Sequence, residues 1–93
     1  MNKYESVVII NPAVDEEAKK ALIQKLTDVI NNDGKVEKVD DLGKRKLAYE
    51  IKKNKEAYYV VFDFEANQAS ITEIERIFRI TDDVIKFITI TND

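Results

Sequence analysis

From Ala57 to Glu65 the chain alternates without a break, and that stretch constrains the rest of the fold. Tyr58, Val60, Phe62 and Phe64 are all apolar or aromatic, while Tyr59, Val61, Asp63 and Glu65 fall between them. A period of two sends the two sets to opposite faces of a β-strand. The first set must be covered by helices, and the second is left as an exposed face. A sheet with one helical layer is therefore the architecture to look for.

The chain supplies the other parts in order. Lys3 to Asn11 predicts a strand whose centre, Val7 to Ile10, has no polar alternate. Such a strand is covered on both faces and central in its sheet. Asn11-Pro12 ends it, and Asp15 is placed to cap a helix running to about Asn32, with Glu16 and Glu17 at the positive end of the dipole. Ala18, Leu22, Leu26, Val29 and Ile30 form that helix's apolar stripe, and Gly34 follows as a left-handed stop. Val36 to Ile51 predicts a long second strand bent around Asp40 to Gly43. In its second half Leu47, Tyr49 and Ile51 point one way, and Lys46, Ala48, Glu50 and Lys52 the other. Asn54, which tolerates positive φ, turns the hairpin into the Ala57 to Glu65 strand. Ser70-Ile71-Thr72-Glu73 matches a capping box, and Ile71, Ile74, Ile77 and Phe78 form a second stripe that stops near Thr81. Val84 to Ile90 closes the sheet, and Thr91-Asn92-Asp93 is a stub.

The order β-α-β-β-α-β, in one small domain spanning residues 1–93, gives an α+β fold. It is a ferredoxin-like, four-stranded antiparallel sheet with two helices on one face. Right-handed crossovers put the first and third strands in the middle. The open face is expected to carry Tyr59, Val61 and Asp63, with Tyr4, Ser6 or their neighbours beside them.

Residue usage narrows the chemistry. The 93 residues contain no cysteine and no histidine. Zinc and transition-metal sites lose their best ligands, so no metal or other cofactor is expected. Nucleophilic catalysis by a Ser-His or Cys-His pair has no members. The acids cluster at Asp15-Glu16-Glu17, Asp40-Asp41 and Asp82-Asp83, where capping and dipole compensation account for them. No catalytic residue is assigned. Absence of cysteine fits a reducing cytosol, Met1 leads into polar Asn2 and Lys3 instead of a signal segment, and neither helix suggests membrane contact.

Charge is uneven. Residues 35–55 hold eight basic and four acidic side chains, a balance of +4, against seven basic and fourteen acidic elsewhere. Gly43 is followed by three cations, Lys44, Arg45 and Lys46, and Lys52, Lys53 and Lys55 follow at the turn. Such a collar can hold phosphate through its local field. The same lysines can also protect an edge strand from pairing with other sheets. Lys3 and Tyr4 offer a phosphate contact and an aromatic platform, or else ordinary rim residues. Lys55, Tyr59, Val60 and Phe62 match the RNA-recognition strand signature, but Glu56 and Tyr58 stand where it needs small residues, so base stacking of that kind is not expected.

The run Gly43-Lys44-Arg45-Lys46-Leu47-Ala48-Tyr49-Glu50-Ile51 resembles a family signature: glycine, any residue, a basic residue, any residue, Leu-Ala-Tyr, any residue, isoleucine. Tyr4-Glu5 with Asn11-Pro12, Val36-Glu37-Lys38-Val39 before Leu42-Gly43, and Arg79-Ile80 with Asp83-Val84 extend the likeness over essentially the whole chain. Together they resemble the bacterial ribosomal protein S-six family of the small subunit. The resemblance implies a non-enzymatic, cytoplasmic, ribosomal protein. It implies binding to the central domain of small-subunit ribosomal RNA as a heterodimer with the basic ribosomal protein S-eighteen, the isolated chain being a monomer. On that reading Lys3, Tyr4, Lys44, Arg45 and Lys46 contact RNA, and Tyr59 and Val61 contact the partner. Two rival readings stand beside it: a self-associating or regulatory ferredoxin-like interaction domain, and an acylphosphatase-like enzyme. The enzyme would want a phosphate-cradling loop with an arginine after the first strand, where this chain has Asn11-Pro12-Ala13-Val14.

Overall fold

A computed structural model describes residues 2–51 and 53–91. Its elements are β1 (Asn2–Ile10), α1 (Glu16–Asp33), β2 (Gly34–Ile51), β3 (Asn54–Ala66), α2 (Gln68–Ile80) and β4 (Val84–Thr91). The sheet order is β2-β3-β1-β4 with every pair antiparallel, so the two central strands are the expected ones. This is the ferredoxin-like arrangement. The expected facing of Ile51 and Lys52 and the stub Asn92-Asp93 lie outside the described side chains and residues.

Register decides which side chains share the core. Tyr4 pairs with Phe64, Ser6 with Phe62 and Val8 with Val60. Residues directly opposite in an antiparallel pair point to the same face. The apolar set of β3 therefore brings Tyr4, Ser6 and Val8 under the helices, where Leu22, Leu26, Ile30, Ile74 and Phe78 close over them. Phe62 and Phe78 stack at 6.4 Å, and Phe78 meets Phe87 edge-on at 5.4 Å. This corrects the expectation for β1: Tyr4 and Ser6 belong to the covered face, and Glu5, Val7 and Ile9 to the open one. The buried Ser6 hydroxyl is satisfied by Thr89 on β4, with the two oxygens 2.7 Å apart.

The helix ends follow side-chain hydrogen bonds. Asp15 caps α1 as expected, its Oδ1 accepting the Ala18 N–H at 2.7 Å. Ala18 itself is exposed, and the stripe position before Leu22, Leu26 and Ile30 belongs to Lys19. Gly34 is not a left-handed stop: its φ of −154° is extended. Asn31 Oδ1 accepts the Val36 N–H at 2.8 Å and turns the chain directly into β2. Glycine is needed there because a Cβ would run into the Glu65 carbonyl oxygen. At the hairpin, positive φ falls on Lys53, at 68°, and not on Asn54, which already pairs in β3.

The Ser70 capping box does not form either. Helix α2 begins earlier, with Asn67 at its N-cap, and the Ser70 N–H donates to the Asn67 carbonyl at 2.9 Å. Glu73 is drawn one turn forward by Arg76, whose Nε donates to Oε2 at 3.0 Å. The α2 stripe stands as expected, with Ile74 and Phe78 buried and Ile71 and Ile77 packed against them. At the far end the Thr81 hydroxyl donates to the Ile77 carbonyl at 2.6 Å.

The two glycines make a discriminating pair. Gly43 has a φ of +76° and open space where a Cβ would stand, so its constraint is conformational, whereas at Gly34 it is crowding. Asparagine visits the left-handed region readily. Gly43→Asn should therefore cost well under the roughly 1–2 kcal/mol that this region exacts from other residues, read as a small fall in the urea midpoint. Gly34→Asn and Gly34→Ala should each cost about 1–3 kcal/mol, the range for forcing atoms into packed space. Equal losses at both sites would show that the two constraints are not of different kinds.

Candidate nucleic-acid and partner interface

Strand β2 is not regular. Its pairing with β3 shifts between Val36 and Lys38, between Asp41 and Gly43, and between Lys46 and Ile51. Each extra residue bends the strand and tightens its twist. The bulge at Leu42 is held by the Gly43 N–H, which donates to Asp41 Oδ1 at 3.0 Å, and by Arg45 Nε, which donates to the Leu42 carbonyl at 3.1 Å. Beyond it Lys44, Arg45 and Lys46 pair with Tyr58, Ala57 and Glu56. All three cations are exposed, with Lys44 and Lys46 on one face and Arg45 on the other. Among the described residues, no carboxylate lies within ion-pair distance of any of them. The collar read from the sequence is thus a cationic ridge beside the bulge.

The other residues assigned to RNA contact stand apart from it. Lys3 pairs with Glu65, seven residues along β3 from Tyr58, which places it roughly 23 Å from the collar at 3.3 Å per residue. It lines a hollow of mixed charge with Glu5, Glu37, Lys38 and Asp63. Tyr4 is buried, its ring stacked 5.8 Å from Phe64, and its hydroxyl accepts from Asn2 Nδ2 at 3.4 Å. The ring is spent in the core and is not the aromatic platform expected from its place at a strand end.

Tyr59 and Val61 do lie on the open face, both half-buried. Val61 stands in a row with Val7 and Ile88, and Tyr59 in a row with Ile9 and Lys86. Ile88 and Ile90 are 48% and 49% exposed, so an apolar surface runs from β3 to the β4 edge. The face is also partly roofed. Tyr49 on β2 reaches Lys86 on β4, whose Nζ donates to the Tyr49 hydroxyl at 3.1 Å. The two strands are at opposite edges of the sheet, about 14 Å apart at 4.8 Å per strand. The hairpin must therefore fold back across the face, enclosing about 260 Å³ above Val7, Ile9, Tyr59 and Ile88. This is why Ile9 is only 5% exposed on a face that no helix covers. Tyr49 itself remains 63% exposed, so the second half of β2 is not the half-buried strand its alternation suggests.

Two further features are not among the residues assigned from the sequence. Ile88 and Ile90 share a face with Lys86 by simple alternation in β4, a signal that is present in the sequence. Lys19 is 4% exposed on the inner stripe of α1. Its Nζ lies 2.9 Å from Asp41 Oδ2, 3.4 Å from Glu16 Oε1 and 4.6 Å from the centre of the Tyr58 ring. The Asp41 hydrogen bond raises the Lys19 pKa above its ordinary value, against the opposing effect of burial. Loss of solvent pushes the Asp41 carboxyl up, but the bonds from Lys19 and the Gly43 N–H outweigh it and hold the group below the usual range.

A hollow of about 690 Å³ lies between the helices over Val29, Ile74 and Ile77, and none of the residues assigned to RNA or partner contact lines it. Asp28 on its rim is engaged by Gln24, and Glu73 by Arg76.

Comparison with known proteins places these surfaces in a family. A family model described as Ribosomal protein S6 matches residues 3–91. The chain is 51% identical over 94 residues to the small ribosomal subunit protein bS6 of Clostridium botulinum strain Loch Maree, covering all of both chains. It is also 51% identical to the bS6 protein of an Exiguobacterium species, over 96% of this chain and 95% of that one. Among solved structures, the crystal structure of 30S ribosomal protein S6 from Thermotoga maritima superposes with a TM-score of 0.94 at 36% identity. The match covers 98% of this chain and 87% of that one.

The Lys19–Asp41 pair has a pH signature. A depressed carboxyl contributes stability above its ordinary value of 3.8 that is lost as pH falls through the folded value. A raised ammonium contributes stability below 10.5 that is lost as pH rises through its folded value. Lys19→Met should therefore show its greatest deficit in urea midpoint between those limits. The gap to the parent protein should narrow below pH 3.8 and above pH 10.5. A deficit constant from pH 3 to pH 11 would mean that the lysine contributes only packing.

Proposed function

The chain belongs to the ribosomal protein S6 family, a structural, non-enzymatic family of the small ribosomal subunit, and we propose that it binds the central domain of small-subunit ribosomal RNA as a heterodimer with ribosomal protein S-eighteen. The observation that carries this reading is that one bent strand serves two surfaces of opposite character. At its bulge β2 presents Lys44, Arg45 and Lys46, and beyond it the hairpin borders the apolar rows of Tyr59, Val61, Val7 and Ile88.

Phosphate contact falls to the collar, with Lys3 as a separate contact on the same extended ligand. Phosphate contacts orient a protein on RNA without reading its sequence, so specificity arises from the joint surface of the two proteins. The partner takes the open face. Apolar side chains exposed at this density mark an interaction surface, and the acidic balance outside the collar attracts a basic protein. Without that partner the chain is a monomer.

Binding of a central-domain RNA fragment, measured with and without S-eighteen, tests the reading. Tight binding is expected only with the partner present, and no binding under either condition would overturn it. Lys44→Ala with Arg45→Ala should weaken binding and flatten its salt dependence by roughly one unit of log–log slope per lost phosphate contact. Val61→Glu should keep that slope while reducing affinity for S-eighteen by about tenfold or more. A dimer or larger species of the isolated chain by light scattering would favour self-association through Ile88 and Ile90 instead.

A further inference from the structure

The collar has acids for near neighbours, Asp40 and Asp41, which stand within six residues of all three of its cations. Either could quench it. Neither does, because each is held by another lysine: Asp40 by Lys38 at 3.4 Å and Asp41 by Lys19 at 2.9 Å. The second arrangement is unusual in its cost. Lys19 occupies the inner stripe of α1, where Leu22, Leu26 and Ile30 follow at steps of three, four and four residues, and an apolar side chain would fill the place without desolvating a charge. Burial of an ammonium there calls for a reason beyond packing.

We propose that Lys19 is a positioning residue for RNA binding, and that it acts by holding the Asp41 carboxylate away from Lys44. The inference rests on the collar being the RNA contact. One carboxylate joins the parts: Asp41 Oδ2 meets Lys19, and Oδ1 accepts the N–H of Gly43, the residue before Lys44. Lys44 lies over the same Tyr58 ring as Lys19, at 5.4 Å and 4.6 Å from its centre. The ring holds the Lys44 ammonium in place without neutralising it, and a phosphate displaces that weak contact readily. Take Lys19 away, and Lys44, which lies over the same ring and follows the residue that Asp41 already binds, is the collar cation left within Asp41's reach. The collar then loses one positive charge to its own chain.

Charge relay of this kind is separable from structural support by rescue. Lys19→Met should weaken binding of the central-domain RNA, with S-eighteen present, by about threefold to tenfold. The lower figure is roughly the effect of one unit charge acting through water at about 7 Å. Asp41→Asn keeps the oxygen that accepts from Gly43 and removes the charge, so that variant should bind as well as the parent or better. The Lys19→Met/Asp41→Asn protein should recover the affinity of Asp41→Asn whether or not its stability recovers. Equal weakness of Lys19→Met and the double variant would overturn the proposal, as would a loss in folded Asp41→Asn alone, in which Lys19 keeps Glu16 and the Tyr58 ring as partners. In a Lys44→Ala/Arg45→Ala background the Lys19→Met effect should vanish, and a surviving effect would mean that it does not run through the collar. If Lys44→Ala/Arg45→Ala binds RNA like the parent, the collar itself is not the contact, and this proposal falls with it while the family membership stands.

Discussion

An 18-residue strand cannot run flat beside a partner of 13 and a sheet whose other members have 9 and 8 residues. Strand β2 is that strand, and its excess length governs the functional side of the molecule. It is absorbed at three places where the register with β3 slips. The middle slip needs a residue with positive φ, and Gly43 provides it at no steric cost. Once the strand has bent there, its far half can no longer continue along the sheet edge. It folds back until Tyr49 meets Lys86 on the opposite edge strand. The cationic ridge, the partial roof over Ile9 and the exposure of Tyr49 are three consequences of one mismatch in length.

The central pair, by contrast, is held from both sides. β1 and β3 exchange an unbroken register over nine residue pairs, and their covered face contributes Val8, Ile10, Val60, Phe62 and Phe64 to the core. Full burial of side chains this size stabilises a fold by about 1.5–3 kcal/mol each. A one-residue slip would send all of them to the wrong face. The rigid centre therefore fixes where the open-face rows fall. It also provides the fixed backbone from which the edge strand can depart.

Elements with a clean period were legible in the sequence, and matters of register were not. The alternation in Ala57 to Glu65 identifies both the strand and its covered face, and Asp15 announces the start of α1. Tyr4 shows the limit. Its parity within β1 is evident, but which parity faces the helices depends on alignment with Phe64, a long-range fact that one strand's pattern does not contain. Competition between local partners defeated other expectations. Glu73 can reach back to a cap or forward to Arg76, and the arginine wins through two charge-assisted bonds. Gly34 reads as a left-handed helix stop because glycine usually signals positive φ, whereas here it yields space to the Glu65 carbonyl. For the site, the collar could be read as a run of three cations. Its separation from Lys3, and the buried lysine beside it, required the third dimension.

That separation bears on how an acidic protein can meet RNA at all. The chain carries a net charge of −3, and the acids outside residues 35–55 outnumber the bases by seven. At physiological ionic strength, interactions between exposed charges fade over about 8 Å. Glu5, Asp63 and Glu65 lie well beyond that distance, at the Lys3 end of the sheet roughly 23 Å away. On the proposed reading a phosphate backbone would meet the local balance, and the acids beside the collar include Asp40 and Asp41 before the bulge, Glu56 opposite Lys46, and Glu50, which lines a hollow with Lys46. The two before the bulge are held by lysines that lie outside the collar. Local pairing, and not net charge, thus lets one surface be cationic on a chain whose remainder is acidic. Both characters fit within a single sheet because the strand that carries the cations bends away from it.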